Sequence, residues 1–295
     1  MLQPRQIAVL VALTLMWGVN WPMMKFSLRE LSPLYFRAIT MTGGALTLYL
    51  YYRFWRGVDM RWPRTEWRQV ALLALPNILA WHFCSITGLQ ALASGRAAIL
   101  GFTMPVWTVL ITLVLAHERP SGRVLLSAVA ALAAVLLLSW QELAHLAGRP
   151  EGVLWMQAAA FSWAAGTVLM RRTTCPMPTE AVTVWMMALG SAFFWCVAPL
   201  LEATPSPAAW STGLWWSLLY GVLLNYGVAQ VIWFGMARTL PPSASAFSIM
   251  AVPLVGTAAA TAIVGEWPRP LDLVAALAIV LAIASALLPR RQSAP

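Results

Sequence analysis

Residues 94–120 read SGRAAILGFTMPVWTVLITLVLAHERP, and residues 242–268 read PSASAFSIMAVPLVGTAAATAIVGEWP. Each is a long apolar run with a proline in its middle and a glutamate, then a second proline, at its close. The register is shared: Pro105, Glu118 and Pro120 recur 148 positions later as Pro253, Glu266 and Pro268. The same offset holds upstream, where Asn77 matches Asn225 and Leu92 matches Leu240. A helix needs about 20 apolar residues to cross the hydrocarbon of a bilayer. Apolar helices broken at matching positions mark an internal repeat made for the membrane.

Working outward from these two stretches, ten such runs are found. They cover roughly 6–26, 33–53, 68–90, 94–117, 122–140, 152–171, 179–200, 211–236, 243–265 and 271–289. The chain is 60% hydrophobic and only 10% charged over 295 residues, far from the roughly 25% charge of a soluble domain. Backbone polar groups in lipid must be satisfied within each span, and the alternating pattern of barrel strands is absent. The expectation is an all-α integral membrane protein of ten transmembrane helices. The first run has no small-residue cleavage site and carries Trp17, Asn20 and Trp21, so it reads as a retained helix rather than a signal peptide.

The net charge of +9 does not indicate nucleic acid, because of where it lies. With the N-terminus inside, Arg5, the Arg53–Arg68 cluster, Arg119, Arg123, Arg171, Arg172, Arg238, Arg290 and Arg291 all fall on the cytoplasmic side. That is the asymmetry of the positive-inside rule, and it predicts that both termini are cytoplasmic. Anionic lipid is the expected partner of this charge. Cys84, Cys175 and Cys196 are two in spans and one in a loop, which implies no disulfide framework.

Five spans per half is an odd number, so the second half must enter the bilayer from the opposite face. The repeat is therefore inverted, with expected boundaries 1–146 and 147–295. The fifth and tenth spans are rich in Ala, Leu and Val and read as peripheral scaffold. The first, third, fourth, sixth, eighth and ninth carry the unusual mid-span residues and are expected to line a central cavity. The second and seventh are candidates for moving walls.

Ten spans in two repeats, the Trp17-Gly18-Val19-Asn20-Trp21 run and the doubled Pro-to-Glu signal resemble the EamA family of the drug/metabolite transporter superfamily. Among its branches, the chain is most similar to the bacterial aromatic amino-acid exporters of the YddG type. The resemblance implies a multi-pass inner-membrane carrier that moves small molecules outward.

The candidate site is built from mid-span polar and aromatic residues. Asn77 and Asn225 are repeat equivalents, as are His82 and Gln230, and Asn20 lies near the middle of the first span. A buried amide without a partner costs several kcal/mol, on the order of 2–7. Each of these must therefore face protein, water or substrate; the bland alternative is glue between helices. Trp residues usually gather at membrane interfaces, but Trp17, Trp81, Trp107, Trp163 and Trp233 fall near mid-depth. Tyr226, Gln230 and Trp233 share a helix face by their spacing. Indoles with a few amides suit molecules that are apolar at one end and polar at the other. The expected lining is thus Trp17, Asn20, Asn77, Trp81, His82, Trp163, Asn225, Tyr226, Gln230 and Trp233.

Pro105 and Pro253 are expected to free carbonyls near Gly101 and Ile249 or to serve as bending points, and Pro22 to bend the far end of the first span. Glu118 and Glu266 read as structural carboxylates that accept donors from the start of the following helix. No acidic residue is expected at mid-depth, where proton-driven pumps put carboxylates, and His82 is the one mid-depth group that titrates near neutrality. Basic residues are also scarce there, which argues against phosphorylated substrates. Neither a nucleophile with its base nor a metal set is present, so an enzyme is disfavoured and no cofactor is expected. Amino acids, aromatic ones included, are the expected substrates. Drug efflux is the alternative. Oligomeric state is left open, with a monomer acceptable.

Overall fold

The structure is a computed structural model that describes residues 4–116, 150–229 and 242–287, with further positions at 122–140 and at 232. Glu118, Gln230 and Trp233 lie outside the described residues, as do the side chains of Pro105 and Ile249.

Every long element among the described residues is a helix. They are α1 (Pro4–Ser27), α2 (Pro33–Leu50), α3 (Trp67–Ala74), α4 (Trp81–Ala91), α5 (Ser94–Gly101), α6 (Met104–Ala116), α7 (Pro150–Arg172), α8 (Thr179–Leu201), α9 (Thr212–Leu219), α10 (Pro242–Val264) and α11 (Pro270–Leu287). Among the described residues, five helical stretches are long and apolar enough to cross a membrane: Ile7–Ser27, Trp67–Ala91, Ser94–Leu115, Pro150–Met170 and Thr179–Leu201. Helix starts follow the sequence: Pro33, Pro150, Pro242 and Pro270 open their helices, where a missing N–H costs nothing.

Besides Tyr51–Trp55 at the end of α2, two further stretches among the described residues are wound loosely. Between α3 and α4 the chain runs through a π-helical stretch, Leu75–Ala80, and beyond α9 through another, Tyr220–Val228. The repeat offset superposes the first on the end of the second, with Asn77 and Asn225 in equivalent places. In the first, Pro76 cannot donate to the helical ladder, which relaxes the winding. Gly221 and Gly227 flank Asn225 in the second.

The two prolines of the repeat signal differ in effect. Before Pro105 the helix is interrupted by a turn at Phe102 and Thr103, separating α5 from α6. The carbonyl of Leu100 accepts from Thr103 Oγ1 at 2.8 Å, from Thr103 N at 3.2 Å and from Gln157 Nε2 at 3.4 Å. These donors hold the broken turn in place, so the carbonyl engaged at the break is Leu100, one residue before Gly101. Pro253, in contrast, sits inside the uninterrupted α10, where the Thr257 hydroxyl donates to its carbonyl at 2.9 Å. Pro22 likewise lies inside an unbroken α1.

Packing runs chiefly across the sequence halves. The principal neighbours are α1 with α10, α2 with α8, α4 with α7, and α5 with both α7 and α10. Among the described residues the two sequence halves are thus interleaved. Small residues permit this closeness. A Cβ at Gly18 would fall 2.4 Å from Val255 Cγ1, and one at Gly44 would fall 2.4 Å from Tyr226 Cβ. Apolar side chains of α11, such as Leu273, Val274 and Leu277, point outward, as do Leu125, Leu132 and Leu136 in the stretch matched to it by the repeat.

Candidate functional site

At one end of the bundle, three glutamates that end helices clasp the beginnings of helices from the other half. Glu30, just past α1, accepts from Ser211 N at 2.8 Å and Ser211 Oγ at 2.6 Å, and Ser211 caps α9. Glu202, just past α8, accepts from Leu34 N at 2.9 Å and Tyr35 N at 3.2 Å in the first turn of α2. Glu266, past α10, accepts from Ser94 N and Ser94 Oγ, each at 2.6 Å, at the start of α5. A carboxylate at a helix N-terminus satisfies orphan donors and meets the positive end of the dipole. The expectation for Glu266 is corrected here in its partner: it serves α5, its own repeat counterpart, and the next helix is served by Asp272, which accepts from Arg269 N at 2.8 Å. The Ser211 hydroxyl, and then its N–H, hold the Glu30 carboxyl below its usual 4.5.

Beside these clasps, Arg29 Nη2 donates to the Val264 carbonyl at 3.0 Å. Arg96 pairs with Asp272 at 2.7 Å, both side chains more than nine-tenths buried. Lys25 Nζ donates to the Leu89 and Gln90 carbonyls at 2.9 and 3.1 Å, the end of α4. Arg96 and Lys25 are thereby committed to structure near the ends of helices.

Further along the bundle axis, aromatic rings from five parts of the chain meet. Trp81 and Trp163 lie 4.7 Å apart between centroids. Trp21 stands edge-on to Trp81 at 6.5 Å, and Phe102 lies 6.3 Å from Trp163 and 6.5 Å from Trp21. His82 stacks on Tyr226 at 5.8 Å and adjoins Trp81. Its Nδ1 is 3.0 Å from the Ile78 carbonyl. A carbonyl only accepts, so Nδ1 carries a hydrogen, and in the neutral ring Nε2 is then an acceptor.

The structure thus gathers Trp81, Trp163, His82 and Tyr226 from the residues singled out in the sequence. Asn77 is half-buried; its Nδ2 donates to the Leu73 carbonyl at 2.9 Å, and it packs so closely on α7 that a Cβ at Gly166 would fall 2.5 Å from its Cγ. Asn225 is buried beside Tyr226. Trp17 packs on the main core and on a small cluster of Leu10, Leu13 and Ala229, and Asn20 is half-buried on α1. Trp107 donates to Gln157 Oε1 at 3.1 Å.

Sequence reasoning passed over several residues that belong here. Trp21 and Phe102 complete the aromatic group, and Gln157 bridges Trp107 to the break before Pro105. Pro76 was signalled by its position next to Asn77. Arg37 is the largest omission. It enters one turn into α2 and is 3% exposed. Its Nη1 donates to Tyr226 Oη at 3.3 Å and its Nη2 to Ser85 Oγ at 3.0 Å. A basic residue therefore does reach the group of residues assigned to mid-depth.

Helical elements with apolar spans among the described residues, π-wound stretches at repeat-related places and an aromatic group between them define a multi-pass membrane protein. The EamA-like transporter family model matches residues 5–140 and again 150–288, and the chain belongs to that family, in agreement with the drug/metabolite transporter superfamily. Two relatives from Bacillus subtilis (strain 168) are each described as an uncharacterized transporter. YoaV is 24% identical over 247 residues, covering 83% of this chain and 84% of its own. YvbV is 27% identical over 284 residues, covering 94% and 89%. A solved crystal structure shares the fold with a TM-score of 0.69 at 20% identity, over 97% of both chains.

Proposed function

We propose that this protein is a secondary transporter of a bacterial inner membrane. It spans the bilayer ten times as two inverted five-helix repeats, residues 1–146 and 147–295, with both termini in the cytoplasm. It exports amino acids, aromatic and other neutral ones, and similar small amphipathic metabolites by alternating access. The observation that carries this reading is the pair of π-wound stretches holding Asn77 and Asn225 at repeat-equivalent positions, with Trp81, Trp163, His82 and Tyr226 brought together next to them. Loosely wound helix segments recur at functional sites, and in membranes irregular backbone is tolerated where it is enclosed by protein or lines a cavity.

The chemistry supports amphipathic zwitterions. Indole faces receive an apolar side chain, and the Nε2 lone pair of His82 is an acceptor for an ammonium group. The three glutamate clasps join helices of both halves at what the charge distribution makes the outer end, and they support a state closed on that side. Opening outward then means releasing those clasps.

The test is counterflow of labelled phenylalanine, tryptophan and leucine in liposomes that contain only this protein. Saturable exchange is expected. Absence of exchange with every amino acid, alongside flux of a lipophilic drug cation, would replace this reading with drug efflux. Single cysteines at positions 17, 77, 163 and 225 are expected to be reachable by aqueous thiol reagents in at least one state. Protection of all four under every condition would remove the cavity.

A further inference from the structure

Two buried arginines in this structure meet opposite circumstances. Arg96 presents its Nε and Nη2 edge to Asp272, with Nε at 2.7 Å from Oδ1 and Nη2 at 3.4 Å from Oδ2. That is the side-on fork by which a guanidinium takes a carboxylate. Arg37 is as deeply buried, but the same edge has no anion on it. Its Nη2 donates to the neutral Ser85 hydroxyl, its Nη1 to the neutral Tyr226 phenol, and its Nε has no hydrogen-bond partner. Eight of the ten acidic residues, all but Glu118 and Glu142, are described. None of the eight forms an ion pair with Arg37.

An arginine stays protonated in proteins. A cation taken out of water without a counter-charge is costly, and inside a membrane such residues mark the path of a substrate or ion. The surroundings of Arg37 narrow the choice. Ser85 follows His82 by one helical turn on α4, and Tyr226 is the ring on which His82 stacks. Past His82 come Trp81 and Trp163. A cation whose Nε has no partner and whose fork holds no anion thus stands at the polar end of the aromatic group.

We propose that Arg37 is the specificity-determining residue that takes the carboxylate of the substrate, so that the molecules carried are carboxylates with an apolar or aromatic body. The inference rests on the transporter reading above and sharpens it. The carboxylate engages Nε and Nη2 side-on, and the Ser85 hydroxyl gives up its place to an anion that binds more strongly. The exchange is favourable because a charge–dipole contact is replaced by a charge–charge one, made through two parallel hydrogen bonds. Cations and neutral amides with the same body gain nothing from this fork. The scarcity of further basic groups near it also selects one carboxylate over a phosphate, which asks for a fuller cationic clamp.

The test compares competitors of labelled phenylalanine counterflow in proteoliposomes: phenylalanine itself, phenylpropionate and phenylalaninamide. In the wild-type protein the two carboxylates are expected to compete at least about tenfold better than the amide, the loss that follows from one charge-assisted hydrogen bond. In Arg37→Gln that preference disappears while the amide competes as before. Arg37→Lys keeps the charge without the fork, so carboxylates remain preferred by a smaller margin than in wild type. If the glutamine variant does not elute as a monodisperse species, the lysine variant and the wild-type series decide. Equal competition by amide and carboxylate in wild type, or an unchanged preference in either variant, would overturn the proposal and leave amino-acid transport standing. Absence of amino-acid exchange in wild type would instead remove the transporter reading and this inference together.

Discussion

Replacing Asp272 by alanine removes the counter-charge of a buried cation, Arg96. The Arg96 and Asp272 side chains keep only 8% and 7% of their exposure, so water does not take over the lost contact. The same carboxylate accepts from Arg96 Nε at 2.7 Å and from Arg269 N at 2.8 Å, which means that one substitution removes a counter-ion and the cap of α11. Removing one partner of a buried pair costs about 3–5 kcal/mol, and losing a cap costs about 1 kcal/mol more. Asp272→Ala is therefore expected to lower the thermal midpoint of the detergent-solubilised protein substantially, read by loss of the monodisperse peak after heating. The paired change Arg96→Met with Asp272→Leu removes both charges and keeps apolar volume; it is expected to recover most of the loss, since buried pairs are often replaced by apolar residues without penalty. A single variant as stable as wild type, or a double variant no better than the single, would refute this reasoning.

Gly18→Val should destabilise by at least about 1–3 kcal/mol, the cost of overpacking, because the new side chain meets Val255 and the Gly256 backbone; an unchanged melting profile would show that α1 and α10 are not in contact there. Trp163→Ala removes the ring that lies 4.7 Å from Trp81, and should raise the apparent KM for tryptophan by about tenfold, one lost aromatic contact, with expression near normal; equal kinetics would take Trp163 out of the lining. The Glu30 clasp is sensitive to acid. Its carboxyl titrates below the usual 4.5 when folded, so its contribution is complete above that value and is lost as pH falls through the lowered native value. The stability difference between wild type and Glu30→Gln should shrink over that range, and a difference that stays constant down to pH 2.5 would contradict it.

What the sequence determined by itself is what depends on periodicity, composition and covalent constraint. Apolar runs set the membrane class because hydrocarbon admits only backbone that satisfies itself. The shared offset of Pro105 with Pro253 and of Asn77 with Asn225 exposed the repeat; mid-span position brought Trp81 and His82 to attention, and spacing along one helix Tyr226. Tertiary structure decided whatever depends on which helices touch. Equal prolines do not act equally: a neighbouring Gln157 and Thr103 hold open the break ahead of Pro105, while α10 runs through Pro253. Glu266 reaches across to Ser94 because α1, α2 and α5 pack against partners from the other half, which no local pattern reveals. Arg37 is legible in the sequence only as a charge near a helix start. Its long side chain reaches past that start to Tyr226 and Ser85, and the absence of a carboxylate on its Nε emerges only when the neighbours are in place.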